Sequence, residues 1–271
     1  MKAHRQQLRK ADVVVLALGA ALLISSVGAV GPQGRGRARE MVCLANLSQW
    51  HAVFQDYRQQ NDGTFFTGTN STGYWWLAQL DETTQSWKKN RTWFCPTAAT
   101  PLVDEFGVST PGSMTLKAWG IFSGDGLLGP DGIAGSYGLN GYTIAVPDWA
   151  SYEGGIRGSD GWRNFDSIAH TGNVPWFVDA LRFDLWPLYT DGPAANEFAA
   201  WSSNHMARCC VNRHHGAVNC LFADGSARKV GLKELWTLKW HRSFDTAGPW
   251  TKAGGVLPSD WPAWMRDFQD Y

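Results

Sequence analysis

The stretch His214-His215-Gly216-Ala217-Val218-Asn219-Cys220-Leu221-Phe222-Ala223-Asp224-Gly225-Ser226 reads as one strand and the turn of a β-hairpin. Val218, Cys220 and Phe222 alternate with polar or small neighbours, the two-residue period of a half-buried strand. Asp224-Gly225 supplies residues that tolerate positive φ, and residues 227–230 can return as the partner strand. An antiparallel sheet is therefore expected towards the C-terminus.

Working outward, Val174-Pro175-Trp176-Phe177-Val178-Asp179-Ala180 has the apolar density of a buried strand, and Arg91-Thr92-Trp93-Phe94-Cys95-Pro96 reads as a strand stopped by proline. Residues 120–141 hold eight glycines in 22 positions, which predicts a loop with irregular backbone. Residues 75–80 suit a short helix, and the Trp-rich tail suits a short helix over 232–240 followed by an extended wrap. Upstream, Cys43, Leu47, Trp50, Phe54 and Tyr57 recur at a 4-3-4-3 spacing, one apolar stripe along a helix over 38–60 that Asn61-Asp62-Gly63 stops. Residues 31–37, rich in Gly and opened by Gly31-Pro32, read as a joint, and residues 13–30 are an uncharged apolar run preceded by Lys2, Arg5, Arg9 and Lys10. That run is long enough for a membrane-spanning helix with a cytoplasmic basic N-terminus over 1–12; a cleaved signal peptide ending near Val27-Gly28-Ala29 is the rival reading. The expected class is α+β: a transmembrane helix continued by an amphipathic helix packed on an antiparallel β-sheet head over 61–271, with long irregular loops.

The chain has 271 residues, 44% of them hydrophobic and 18% charged, enough to bury a substantial core. Lys+Arg and Asp+Glu are equal at 24 each, so no net charge draws it to nucleic acid. Sixteen Trp residues must be either core or contact surface. The five cysteines allow disulfides in an exported chain; Cys209 or Cys210 could bridge to Cys220, or these could hold a metal with nearby histidines.

Four motifs, in order, carry a resemblance to a bacterial family of prepilin-like proteins related to the type II secretion pseudopilins. Cys43-Leu44-Ala45-Asn46-Leu47-Ser48-Gln49 resembles that family's juxtamembrane Cys-x-x-Asn-Leu-x-Gln helix, with Cys43, Asn46, Leu47 and Gln49 as its marked positions. Phe94-Cys95-Pro96 resembles its Cys-Pro strand, Ser136-Tyr137-Gly138-Leu139-Asn140-Gly141 its Ser-Tyr-x-x-Asn-Gly segment, and His214 followed by Asp224-Gly225 its C-terminal signature. The resemblance implies a pilin-like head in a type II secretion-like or type IV pilus-like assembly. It implies a single pass through the bacterial inner membrane with the head outside the cytoplasm. Its partners would be the membrane, other pilin-like subunits or secretion-apparatus proteins. It also makes Cys43 and Cys95 the disulfide pair to choose. The prepilin processing motif is missing at residues 9–15, where no Gly-Phe-Thr and no membrane-buried Glu occur.

His214, Asp224 and Gly225 are read as structural hairpin residues; no Ser or Cys stands in a nucleophile motif, so the chain is not expected to be an enzyme. No cofactor or metal is expected. Calcium at Asp125, Asp131 and Asn140, as in some pseudopilin heads, is the alternative. Two other functions compete with the structural one. A tethered carbohydrate-binding module would stack sugars on exposed Trp residues among Trp75, Trp76, Trp149, Trp162 and Trp186, giving a polysaccharide partner; an exported hydrolase would need a cleft joining His214 to a carboxylate and a nucleophile.

Overall fold

The computed structural model describes residues 31–68, 75–122, 128, 131–163, 165–198 and 204–271. Among the described residues the first element is a 29-residue helix, α1 (Pro32–Gln60). Proline at the first helical position lacks an N–H that would have no intrahelical partner there in any case. The expected stripe is the buried one: Cys43, Leu47, Trp50 and Phe54 are shielded from solvent and Tyr57 is partly so. Asp62 and Gly63 take φ of 52° and 77°, and the Gly63 N–H closes onto the Arg58 carbonyl at 2.7 Å, which ends the helix.

Three expectations about the N-terminal region need correction. Residues 32–37, read as a joint, lie inside α1. Among the described residues no helix is long and apolar enough to cross a membrane. The expected fold, in which a transmembrane helix runs on into an amphipathic one, is therefore not what the structure supports, and neither is the single-pass inner-membrane location. The run over 13–30 on which that expectation stood lies outside the described residues. The helix that is described carries Arg35, Arg37, Arg39 and Glu40 in its first turns, charges too costly to place in hydrocarbon.

By internal contacts the chain divides into Met1–Arg39 and Glu40–Tyr271. The larger unit is α+β with two sheets. Short helices α2 (Trp75–Ala78) and α3 (Glu82–Gln85) lead to β1 (Thr100–Pro101), β2 (Lys117–Ile121) and β3 (Ile133–Gly135). β1 pairs parallel to β2, and β2 antiparallel to β3. The second sheet is built from β4 (Tyr137–Asn140), β5 (Pro175–Asp179), β6 (Asp184–Leu185), β7 (Ala217–Phe222) and β8 (Ala227–Gly231), in the order β6-β4-β5-β7-β8. Only the β4–β6 pairing in it is parallel. The hairpin of the sequence reading is β7–β8, in register from Ala217 opposite Gly231 to Leu221 opposite Ala227. A last helix, α4 (His205–Cys209), follows β6.

β7 is not half-buried as its alternation predicts; all six of its residues are buried, as are all five of β5. Both faces of the sheet centre are covered. On one face α1 lays Trp50 and Phe54 against Phe177 and Trp176, at ring separations of 5.1 and 5.0 Å. The tail adds a 3-10 turn at Lys233–Thr237, where a helix was expected, and buries Trp236, Trp240 and Trp261.

Two segments differ from their sequence reading. Residues 91–96 are not a strand: Arg91–Trp93 is a 3-10 turn capped by the Asn90 side chain, which accepts from the Thr92 N–H at 3.1 Å. The glycine-rich span 120–141 contributes β3, β4 and the end of β2 instead of one loop. Its glycines make room for tryptophans, as a Cβ on Gly141 would come within 2.5 Å of the Trp186 ring.

Candidate functional site

The histidine of the hairpin signature turns inward. His215 and Gly216 take φ of 54° and 77°, and the Asn212 side chain accepts from the Gly216 N–H at 2.7 Å. This reversal delivers His214 into the core just before β7 begins, at 2% exposure. Asp224 stands at the opposite end of β7, exposed, accepting from the Ser226 N–H and hydroxyl at 2.9 and 2.6 Å, while Gly225 takes a φ of 85°. The spacing between His214 and Asp224-Gly225 therefore measures one six-residue strand plus its two flanking turns. The two motif residues do not meet.

His214 meets Cys43, Cys95 and Asp179, the ligand-type atoms of all four lying within 4.8 Å of one another. Cys43 comes from the buried stripe of α1, Cys95 from the segment after the 3-10 turn, Asp179 from the end of β5 and His214 from the turn before β7. His214 Nε2 is 3.1 Å from Asp179 Oδ2 and 3.4 Å from Cys95 Sγ. Cys43 Sγ is 3.7 Å from Asp179 Oδ2. The Tyr137 hydroxyl donates to Cys43 Sγ at 3.2 Å, and the Asn219 backbone N–H donates to Asp179 Oδ2 at 2.8 Å.

Arg213 closes the cluster from behind. Its guanidinium donates to the carbonyls of Thr115, Ser136, Lys117 and Ala180 at 2.6–3.0 Å and to Asp179 Oδ1 at 3.3 Å. One fully buried side chain thus ties the first sheet to the second.

The charges are set by this company. Burial alone would raise the Asp179 carboxyl, but His214, Arg213 and the Asn219 N–H outweigh it and hold the group below the usual carboxylate range. Burial would likewise lower His214, yet the Asp179 carboxylate pushes it up to about 10. For Cys95, burial works to raise the thiol, and the hydrogen bonds from Cys43 and His214 prevail and bring it down to about 6. Burial and then its neighbours Cys95 and Asp179 push Cys43 the other way, well above the ordinary thiol range. Two thiols of unequal acidity, an imidazole and a carboxylate on one point are ligand types that zinc accepts.

The other motif residues frame this cluster. The Asn46 amide donates to the Phe94 carbonyl at 2.8 Å, and the Trp50 indole to the Thr92 carbonyl at 2.9 Å, so α1 grips the 91–96 segment at two points. Ser136 Oγ accepts from the Cys95 N–H at 2.5 Å. Leu47 and Tyr137 are buried, Gln49 is exposed and Pro96 lies part-way. Cys43 and Cys95 are neighbours, as the chosen pairing requires, but no disulfide joins them: both are thiols. The thiols of Cys209, Cys210 and Cys220 are buried too, and among the described residues none of them belongs to a cluster of three metal-ligating side chains.

Of the three residues named for calcium, the two that are described are engaged with other groups. Asp131 is exposed and paired with Lys88 at 2.9 Å. Asn140 is buried, its amide donating to the carbonyls of Pro175 and Trp240 and its oxygen accepting from the Tyr142 N–H. Asp125 lies outside the described residues.

Sequence reasoning missed Arg213 and gave Asp179 no partner. The available signal was Asp179 itself, a carboxylate ending an otherwise apolar buried strand, which demands a cation or several N–H donors. For Arg213 no comparable signal exists in the sequence. Compared with models of known families, with curated proteins and with solved structures, the chain shows no significant match.

Proposed function

We propose that the chain is a non-catalytic structural subunit of pilin-like type, which acts through protein contacts made by its surface. The observation that carries this reading is the direction of its chemistry. His214, Asp179, Cys95 and Cys43 are 0–2% exposed and spend their polar atoms on one another, on Tyr137 and Arg213, and on backbone groups. A surface groove beside the hairpin is lined by His215, Gly216, Glu234 and Tyr271, not by His214. A hydrolase would need the reverse arrangement, with nucleophile and base opening on a cleft.

The position of the tryptophans favours contact between proteins over sugar stacking. Trp76, Trp162 and Trp186 are buried, and Trp149 is 79% exposed. Among the described side chains of that set, which do not include Trp75, only Trp149 is exposed, and a single exposed ring is not a stacking platform. Apolar side chains that do reach solvent include Met41 and Val42 on α1 and Phe106 and Val108 on the loop after β1.

Site-specific photo-crosslinking in the native host tests this, with the probe at Met41, Val42 or Phe106. Crosslinks to further copies or to a fixed set of partner subunits are expected. Hydrolytic turnover that His214→Asn abolishes while near-ultraviolet circular dichroism stays native would overturn the reading.

A further inference from the structure

We infer that Cys43, Cys95, Asp179 and His214 form a closed, structural zinc site that locks α1 onto the sheet. Geometry is the first argument. A tetrahedron with bonds of about 2.0–2.3 Å has edges of about 3.3–3.8 Å. Of the six edges here, His214 Nε2 to Cys95 Sγ at 3.4 Å and Cys43 Sγ to Asp179 Oδ2 at 3.7 Å fall in that range, His214 Nε2 to Asp179 Oδ2 at 3.1 Å is slightly short of it, and all lie within 4.8 Å. The four donor atoms come from four separate segments of chain.

Hydrogen bonding is the second argument. His214 Nε2 lies within reach of both a carboxylate oxygen and a sulfur, and one N–H cannot point at both. A cation at the centre, held by the Nε2 lone pair, resolves that conflict by replacing the proton. The surroundings then supply the outer contacts that metal ligands require. Tyr137 donates to Cys43 Sγ, Asn219 N–H to Asp179 Oδ2 and Arg213 to Asp179 Oδ1.

Charge is the third. Binding leaves both cysteines as thiolates and His214 as the neutral imidazole, with two protons released from the cluster as a whole. Two thiolates and one carboxylate are then balanced by the dication and the Arg213 guanidinium, so the buried cluster is neutral. Sulfur, nitrogen and a single oxygen favour zinc over calcium or magnesium, which take oxygen shells. With four protein ligands no coordination position is left for water, so the site holds structure and does no hydrolysis.

The full chain, purified under reducing conditions with zinc supplied and dialysed against metal-free buffer, is expected to retain one zinc ion. Cobalt in its place is expected to give thiolate-to-metal charge-transfer bands and the strong ligand-field absorption of a tetrahedral site. Cys95→Ser should lose both, whereas Cys220→Ser should keep both. Because Cys95→Ser can fail to fold, peptide mapping of the unaltered protein gives a second readout. Bound zinc should protect Cys43 and Cys95 from maleimide, and chelation should expose them. Natively folded, reduced protein that retains no zinc above the buffer level would overturn the inference. So would a cobalt spectrum without thiolate bands, or a Cys43–Cys95 disulfide whose reduction brings no metal uptake.

Discussion

His214 and His241 are both buried, at 2% and 1% exposure, and the fold drives them in opposite directions. His214 sits against a carboxylate and is pushed up to about 10. His241 lies between the rings of Tyr142 and Phe244, at 4.6 and 5.4 Å, with Nδ1 against the Ser243 hydroxyl and Nε2 without a hydrogen-bond partner among the described residues. Burial, and then the charge of Lys239, bring it down to about 4. Removal from water favours the neutral imidazole in both places, and only a fixed anion reverses it. The polar region is therefore a set of mutually dependent charges, and the aromatic region a packed volume indifferent to which apolar atoms fill it. Each should fail in its own way.

The largest effect is expected from removing the cation of the polar region while keeping its bulk. Arg213→Met deprives Asp179 of its guanidinium and leaves the carbonyls of Thr115, Lys117, Ser136 and Ala180 without their donor. A loss of about 3–5 kcal/mol is expected in urea unfolding, the range for breaking a buried ion pair from one side. A loss below about 1 kcal/mol would mean that water reaches the cluster, and the contrast with the aromatic region would collapse.

Next comes acid. His241 has a folded-state value of about 4 and an unfolded value of about 6.5, so the unfolded chain takes up the proton first. The contribution is fully present above pH 6.5 and is lost as pH falls through 4, about 3 kcal/mol in all at 1.36 kcal/mol per unit. His241→Phe should remove that part of the pH dependence while keeping the ring in its aromatic slot. Stability curves for the two proteins that run parallel from pH 7 to 4 would show that His241 is protonated where it lies.

The aromatic region itself should be forgiving. Phe54 touches the rings of Trp50, Phe65, Phe66, Trp76, Trp176 and Phe177, and no polar atom depends on it. Phe54→Leu should cost about 1–1.5 kcal/mol, with the neighbouring rings repacking around the smaller side chain. The check is the urea midpoint together with near-ultraviolet circular dichroism. A cost as large as that of Arg213→Met would make the two regions alike.

The same division explains what the sequence disclosed. The stripe Cys43, Leu47, Trp50, Phe54 was legible because helical period and burial are local properties of the chain, and so was the stop at Asp62-Gly63. The β7–β8 hairpin was legible through its turn residues. The spanning helix is not supported, since among the described residues no helix is long and apolar enough to cross a membrane, and residues 13–30 lie outside the described residues. The strands within 120–141 were hidden because glycine density reads as loop. Here it serves packing: a Cβ on Gly135 would stand 2.8 Å from Trp119 and 3.0 Å from Trp93. At the site, the proximity of Cys43 and Cys95 was legible through motif resemblance, but not their thiol state. Asp179 and Arg213 join from positions far along the chain, and no local period records such a meeting.

The smallest effect separates the two halves of the hairpin signature. Asp224 accepts two hydrogen bonds from Ser226 inside an exposed turn, and the Gly225 N–H already closes that turn onto the Phe222 carbonyl at 2.9 Å. Asp224→Ala removes a solvent-exposed acceptor whose donors can turn to water, so about 0.5–1 kcal/mol is expected, within the range of one net hydrogen bond. The β7 register should stay intact, because the buried residues of that strand set it. The two positions are thus joined by the length of a strand and not by shared chemistry. A loss of several kcal/mol from Asp224→Ala, or a shift of the cobalt bands of the Cys43, Cys95, Asp179 and His214 cluster, would show that the turn positions His214 through β7. The polar region would then extend to the surface, and its contrast with the sealed environment of His241 would have to be redrawn.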